Sequence, residues 1–180
     1  VYDIDEVVVV SQPKEAFRLR QQPLSSTSFG NFEMNRLGAR DLRELSSYIP
    51  NFVMPNYGSR LSSAVYVRGI GIRVNSPAIG VYVDGIPVMS KSAFNLHTYQ
   101  LSRVDVLRGP QGTLYGQNTE GGLVRLYSRN AFDYQGTDVR IGYGSRRYSN
   151  LEASHYQRLG EDVALMVGGF YNAQTGFFRN

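Results

Sequence analysis

One stretch limits the fold of this chain more than any other: RVDVLRGPQGTLYGQNTEGGLVRLYSRN, Arg103 to Asn130. Four glycines and a proline sit between two β-patterned runs, VDVL (104–107) and GLVRLYS (122–128), and a fifth glycine opens the second run. Such a block can cradle a phosphate or make a set of tight turns. A Walker-type loop ends in Gly-Lys-Ser/Thr, and a dinucleotide loop needs G-x-G-x-x-G between strand and helix. Neither spacing occurs here or in RGIGIR (68–73), so the glycines read as turn positions.

Composition closes further classes. The chain is 42% hydrophobic and 19% charged, the proportions of a folded protein. Its net charge of +4 comes from arginines scattered along 180 residues, without a basic run or stripe, so no nucleic-acid partner is expected. The lack of cysteine removes disulfides and thiolate metal sites. His97 and His155 stand alone, no Ser/His/Asp arrangement is legible, and paired carboxylates are missing. No catalytic residue, metal site or cofactor is therefore predicted. No stretch approaches the roughly 20 apolar residues of a membrane-spanning helix.

Along the chain, residues 1–12 (VYDIDEVVVVSQ) place four valines behind three acids. Val7–Val10 reads either as a first strand guarded by those acids or as a strand kept available to extend a partner's sheet. Residues 13–31, marked by Pro13 and Pro23 and a Ser/Thr cluster, read as extended or loop structure. From about Met34 to Asn130 the pattern mixes helix and strand. Leu42, Leu45 and Ile49 fall on one helical face, with Gly38 ahead and Pro50 as the stop. AVYVRG (64–69) and IGVYVDGIPVM (79–89) are β-rich, and Asp84-Gly85 in the second predicts a type I′ hairpin turn. After Tyr134 come three segments of strand length joined by short turns. Their period fits tilted transmembrane strands and an ordinary antiparallel meander alike.

These residues carry a resemblance. IDEVVVV (Ile4, Asp5, Glu6, Val7, Val8, Val9, Val10) resembles a TonB box. VRGIG, VYVDGIPV and LSRVDVLRGPQGTLYGQNTEGGLVRLYSR are similar, in order and spacing, to the plug motifs of TonB-dependent outer-membrane receptors. Asp105 stands where the family usually has Glu, and GGLVRLYSR replaces a more usual GGVINIVTK-like ending. The resemblance implies an α+β plug domain followed by the first antiparallel strands of a transmembrane β-barrel that is incomplete in this chain. Its expected parts are 1–12 as TonB-box segment, 13–31 as linker, 32–133 as plug and 134–180 as three opening barrel strands. A plugged transporter barrel has about 22 strands, so the chain is expected to be the N-terminal portion of a longer receptor.

The resemblance also implies roles. Ile4 to Val10 would bind the C-terminal domain of TonB. Arg68, Asp105 and Arg108 would form a charged network holding plug to barrel wall. Gly69, Asp84, Gly85, Gly109, Pro110, Gly112, Gly116, Gly121 and Gly122 would be structural turns. Arg73, Asn75, Ser90, Lys91, Phe94 and Tyr115 would meet the nutrient at the plug's outward apex, or be no more than solvated loop residues. The nutrient would be a ferric siderophore, haem, cobalamin or glycan, and the protein would sit in the outer membrane with its box facing the periplasm. The alternative is a soluble periplasmic plug-like binding module.

Overall fold

The computed structural model describes residues 25–58, 63–71, 78–90, 93–116, 118–145 and 147–175. The expected TonB box therefore lies outside the described residues. Two compact units divide between Ser128 and Arg129, rather than at 133/134.

In the first unit the elements run β1 (Ser25–Gly30), α1 (Asn31–Leu37), α2 (Leu42–Ser46), β2 (Phe52–Val53), β3 (Tyr66–Val67), β4 (Ile70–Gly71), β5 (Ile79–Val83), β6 (Ile86–Pro87), β7 (Leu101–Arg108), α3 (Gly112–Tyr115) and β8 (Gly122–Ser128). Five strands form one sheet in the order β1-β7-β8-β5-β6, with β5 and β8 parallel and the other pairs antiparallel. Because successive side chains point to opposite faces, Phe29, Val104, Val106, Val124, Leu126, Ile79 and Val81 line one side. There they pack with Met34, Leu42, Leu45 and Ile49 into the main core.

Two expectations change here. The Ser/Thr-rich stretch 25–30, read as part of a linker, is β1 and pairs with β7 from Ser25↔Arg108 to Gly30↔Arg103. A distant strand satisfies its backbone, which local composition does not reveal. The helix expected after Gly38 is only α2, capped by Asp41, whose Oδ1 accepts from the Glu44 amide at 2.9 Å. Gly38 instead ends the preceding helix α1, with φ 65°. That helix buries Met34 alone, too little to leave a helical period.

The local turn reading holds. Val83 pairs with Ile86 across Asp84 (φ 49°) and Gly85 (φ 82°), the positive-φ pair a type I′ turn requires. Arg68 (φ 52°) and Gly69 (φ 82°) turn the chain in the same way between β3 and β4.

The second unit holds β9 (Gly136–Gly144), β10 (Tyr148–Arg158) and β11 (Ala164–Ala173), an antiparallel sheet in the order β11-β10-β9. Register aligns Val139, Ala153 and Gly169, then Ile141, Leu151 and Tyr171, on one face. That face is open: Ile141 is 77% exposed and Tyr143 83%. Asn150, Glu152, Ser154 and Tyr156 occupy the other face and are buried. Arg140 Nη1 donates to Glu152 Oε2 at 3.0 Å across it, and Arg129 pairs with Asp138 while lying 4.2 Å over the Tyr134 ring. His155 falls on the open face, where its Nδ1 meets Thr137 Oγ1 at 2.8 Å. The inner face of β10 is thus polar and buried, the open face of β9 and β10 is led by Val139, Ile141, Tyr143 and Leu151, and β11 is apolar and exposed on both faces.

Candidate functional site

The second face of the large sheet carries charge rather than a plain apolar core. Register brings Ser28, Asp105 and Arg125 side by side on β1, β7 and β8. Asp105 is fully buried. Its Oδ1 accepts from Ser28 Oγ at 2.6 Å, and its Oδ2 accepts from Arg125 Nη2 at 3.3 Å. Arg103 Nε lies 3.2 Å from the same Oδ2, an ion pair by distance without hydrogen-bond alignment. The Arg103 guanidinium stacks 4.2 Å over the Tyr127 ring. Arg125 Nη1 donates to Tyr115 Oη at 2.8 Å, and Tyr82 Oη donates to the Tyr115 carbonyl at 3.0 Å. Burial pushes the Tyr127 hydroxyl above its ordinary pKa; the Asp105 charge adds to this, while Arg125 and Arg103 oppose it. A buried carboxylate flanked by two guanidiniums is a structural clamp, since removing it would leave buried charge unanswered.

Arg108 is not in that cluster. Three residues after Asp105 on one strand, it points to the opposite face. There Nη1 donates to the Pro50 carbonyl at 2.8 Å, while the Arg68 amide donates to Asn51 O at 2.8 Å. Burial, and then the nearby Arg68 charge, lower the Arg108 pKa. The structure thus separates the three expected network residues: Asp105 answers Arg103 and Arg125, while Arg68 and Arg108 sit near each other as like charges.

The glycine block closes on itself. The Gly109 amide donates to Gly121 O at 3.1 Å and the Gln111 amide to Thr119 O at 2.9 Å, so 109–121 returns the chain from β7 to β8. Gly122 has no room for a side chain, because a Cβ there would lie 2.5 Å from the Leu107 carbonyl oxygen. Gly109 and Gly116 take positive φ, and a Cβ on Gly121 would press on Ile79 and Ile70. Pro110 follows the Gly109 turn, in the bend before α3. Gly112 differs: it opens α3 with open space at its Cβ position, so the turn does not demand glycine there.

Of the expected ligand contacts, Arg73, Asn75 and Lys91 lie outside the described residues. Ser90 is exposed beyond β6. Phe94 is not available, being 1% exposed within the main core. Tyr115 is half-buried and engaged by Arg125 and Tyr82. Among the described residues no group of three His, Asp or Glu could hold a metal.

The family described as the TonB-dependent receptor plug domain matches residues 18–123. This chain belongs to it. The pesticin receptor of Yersinia pestis is 30% identical over 128 residues, 69% of this chain and 19% of that protein. A pesticin receptor of Yersinia enterocolitica is 32% identical over 108 residues, 59% of this chain and 16% of that one. The chain therefore spans about a fifth of the length of these relatives. Among solved structures, the ferric yersiniabactin uptake receptor from Yersinia pestis superposes with TM-score 0.72 at 26% identity, covering 82% of this chain and 24% of that one. The ferric-catecholate import receptor from E. coli K12 shares the fold, with TM-score 0.74 at 22% identity over 91% of this chain and 23% of that one. These relatives are receptors, not enzymes.

The first unit is thus a plug domain, the second is the opening of a transmembrane barrel that does not close within this chain, and the site of both is the outer membrane. Sequence reasoning missed Arg103 and Arg125 in the plug's clamp. The available signal was charge inside otherwise apolar β runs: Arg103 and Asp105 two apart in one, Arg125 in the other. Two such runs with opposite charges at matching parity are candidates for a buried cross-strand pair.

Proposed function

We propose that this chain is the N-terminal part of a receptor that takes up a ferric siderophore from outside the cell. The observation that carries the proposal is the inverted polarity of β9 and β10 directly after a plug. A strand pair that exposes Val139, Ile141, Tyr143 and Leu151 and buries Asn150, Glu152 and Ser154, followed by a strand apolar on both faces, suits a barrel wall in lipid and not a soluble binding module. The relatives whose names mention ferric yersiniabactin and ferric catecholate support an iron chelate over haem, cobalamin or glycan.

In this reading Ile4 to Val10 pair as a strand with the C-terminal domain of TonB. Proton-motive force at the inner membrane then pulls the segment and shifts the plug, and no covalent bond is made or broken. Arg68 and Arg108 dock against carboxylates of the barrel wall, which offsets the burial and, after it, the like charge of Arg68 that lower the Arg108 pKa. Arg73, Asn75, Ser90 and Lys91 face the nutrient. The test is Val8→Pro, which removes a ladder donor. It should abolish capture by the TonB C-terminal domain and leave the plug folded by circular dichroism. Undiminished capture would sink the box assignment.

A further inference from the structure

The change from plug to barrel strands falls on one peptide link. On the plug side the Ser128 amide donates to Asp84 Oδ1 at 2.8 Å and the Asp84 amide to Leu126 O at 2.9 Å, so the exposed β5–β6 turn holds the end of β8. On the other side Arg129 turns to the strands that follow. It pairs with Asp138 on β9, and its guanidinium lies 4.2 Å over the Tyr134 ring and 5.6 Å over that of Tyr156 on β10. Tyr134 Oη donates to the second oxygen of Asp138 at 2.9 Å, and the Tyr134 and Tyr156 rings meet edge to face at 5.4 Å. Gly136 stands opposite Tyr156 in the ladder, where a Cβ would lie 3.3 Å from the Tyr134 hydroxyl oxygen. Between Arg129 and Tyr134 the chain winds on Asn130. Its carbonyl accepts from the Asp133 and Tyr134 amides, and its Oδ1 from the Phe132 amide at 3.0 Å.

From this geometry we infer that residues 129–138 are a clasp that stays on the barrel strands while the plug is displaced, with the Ser128–Arg129 link as the pivot. The inference rests on the receptor reading above and deepens it. The two sides of the link differ in kind. The plug side ends on one turn aspartate in contact with water, a tie that opens locally at small cost. The clasp side shares its members: Asp138 serves both Arg129 and Tyr134, and Arg129 covers both rings. Bonds linked in this way hold one another in place. Gly136 serves the clasp by leaving room for Tyr134 to fold back. Displacement driven from the N-terminal end therefore stops at Ser128.

Single-molecule pulling on the full-length receptor in liposomes tests this, with the handle at Val1 so that force is applied whether or not TonB binds. At forces that extend the whole plug, the released contour should end near Ser128, about 440 Å from the handle at roughly 3.5 Å per residue. Arg129→Ala should lengthen that contour by about eight residues, roughly 28 Å, because the freed segment then follows the plug as far as β9. Tyr134→Ala should do the same, and it decides the outcome where Arg129→Ala does not insert into the bilayer. A final contour equal to wild type in the variant overturns the clasp. So does a wild-type contour that ends away from Ser128, and with TonB capture intact the receptor reading then stands. Wild-type receptor that fails to bind the TonB C-terminal domain removes the receptor reading, and with it the role of the pivot, whatever contour is found.

Discussion

The two units of this chain both hold charged residues within strands, yet they bury opposite chemistry. In the plug, β7 and β8 are enclosed on both faces, with valine and leucine against the main core and Asp105 clamped by Arg103 and Arg125 on the other side. In the barrel strands, Glu152, Asn150 and Tyr156 are buried while Val139, Ile141 and Leu151 stand open. The plug solves the usual problem of a chain in water, where a charge inside must bring its partner. The barrel strands solve the reverse one, where the outer solvent is hydrocarbon. An apolar face of that kind in water would invite aggregation, and in lipid it is the stable arrangement.

The largest effect expected is on the plug side. Asp105→Ala leaves the buried Arg125 and the largely buried Arg103 without their shared carboxylate and should cost about 3–5 kcal/mol in urea unfolding. A loss under about 1 kcal/mol would mean that this face is not internally satisfied. Next comes Ile141→Arg, which should cost about 2–4 kcal/mol of barrel stability in liposomes, whereas Ile86→Arg on the plug's exposed hairpin should stay within about 0.5 kcal/mol. Equal, small effects at both sites would return the three strands to water. Gly85→Ala, at φ 82°, should destabilise the plug by about 1 kcal/mol in the same unfolding experiment.

The smallest effect is one of pH. Burial raises the pKa of both Tyr82 and Tyr127, so the folded plug keeps protons that the unfolded chain has already released. Stability should be flat below about pH 10 and fall as pH rises beyond it. Tyr127→Phe should flatten that fall; an unaltered slope would remove Tyr127 as its source.

Legibility in the sequence followed distance along the chain. Asp84-Gly85 was readable because a two-residue turn is a local event, and the glycine block because its turns are too. The contribution of β1 was not, since Ser28 meets Asp105 across 77 residues of sequence and only the register decides it. Phe94 looked like a loop residue beside GIPVM, but its ring is in the core. Nothing in the neighbouring residues marks that inward turn. The split of Asp105 from Arg108 could have been anticipated, because an odd spacing on one strand always divides the faces.

By itself the sequence determined the turn positions and the alternating runs, which rest on backbone preferences and short-range spacing, and its motifs carried the resemblance to the family. Tertiary structure alone decided which carboxylate each arginine meets, which tyrosines stay open, and which side of each strand is buried. The physical reason is that period is a property of one strand, whereas burial and pairing belong to the neighbours that register places beside it and to the solvent on the far side.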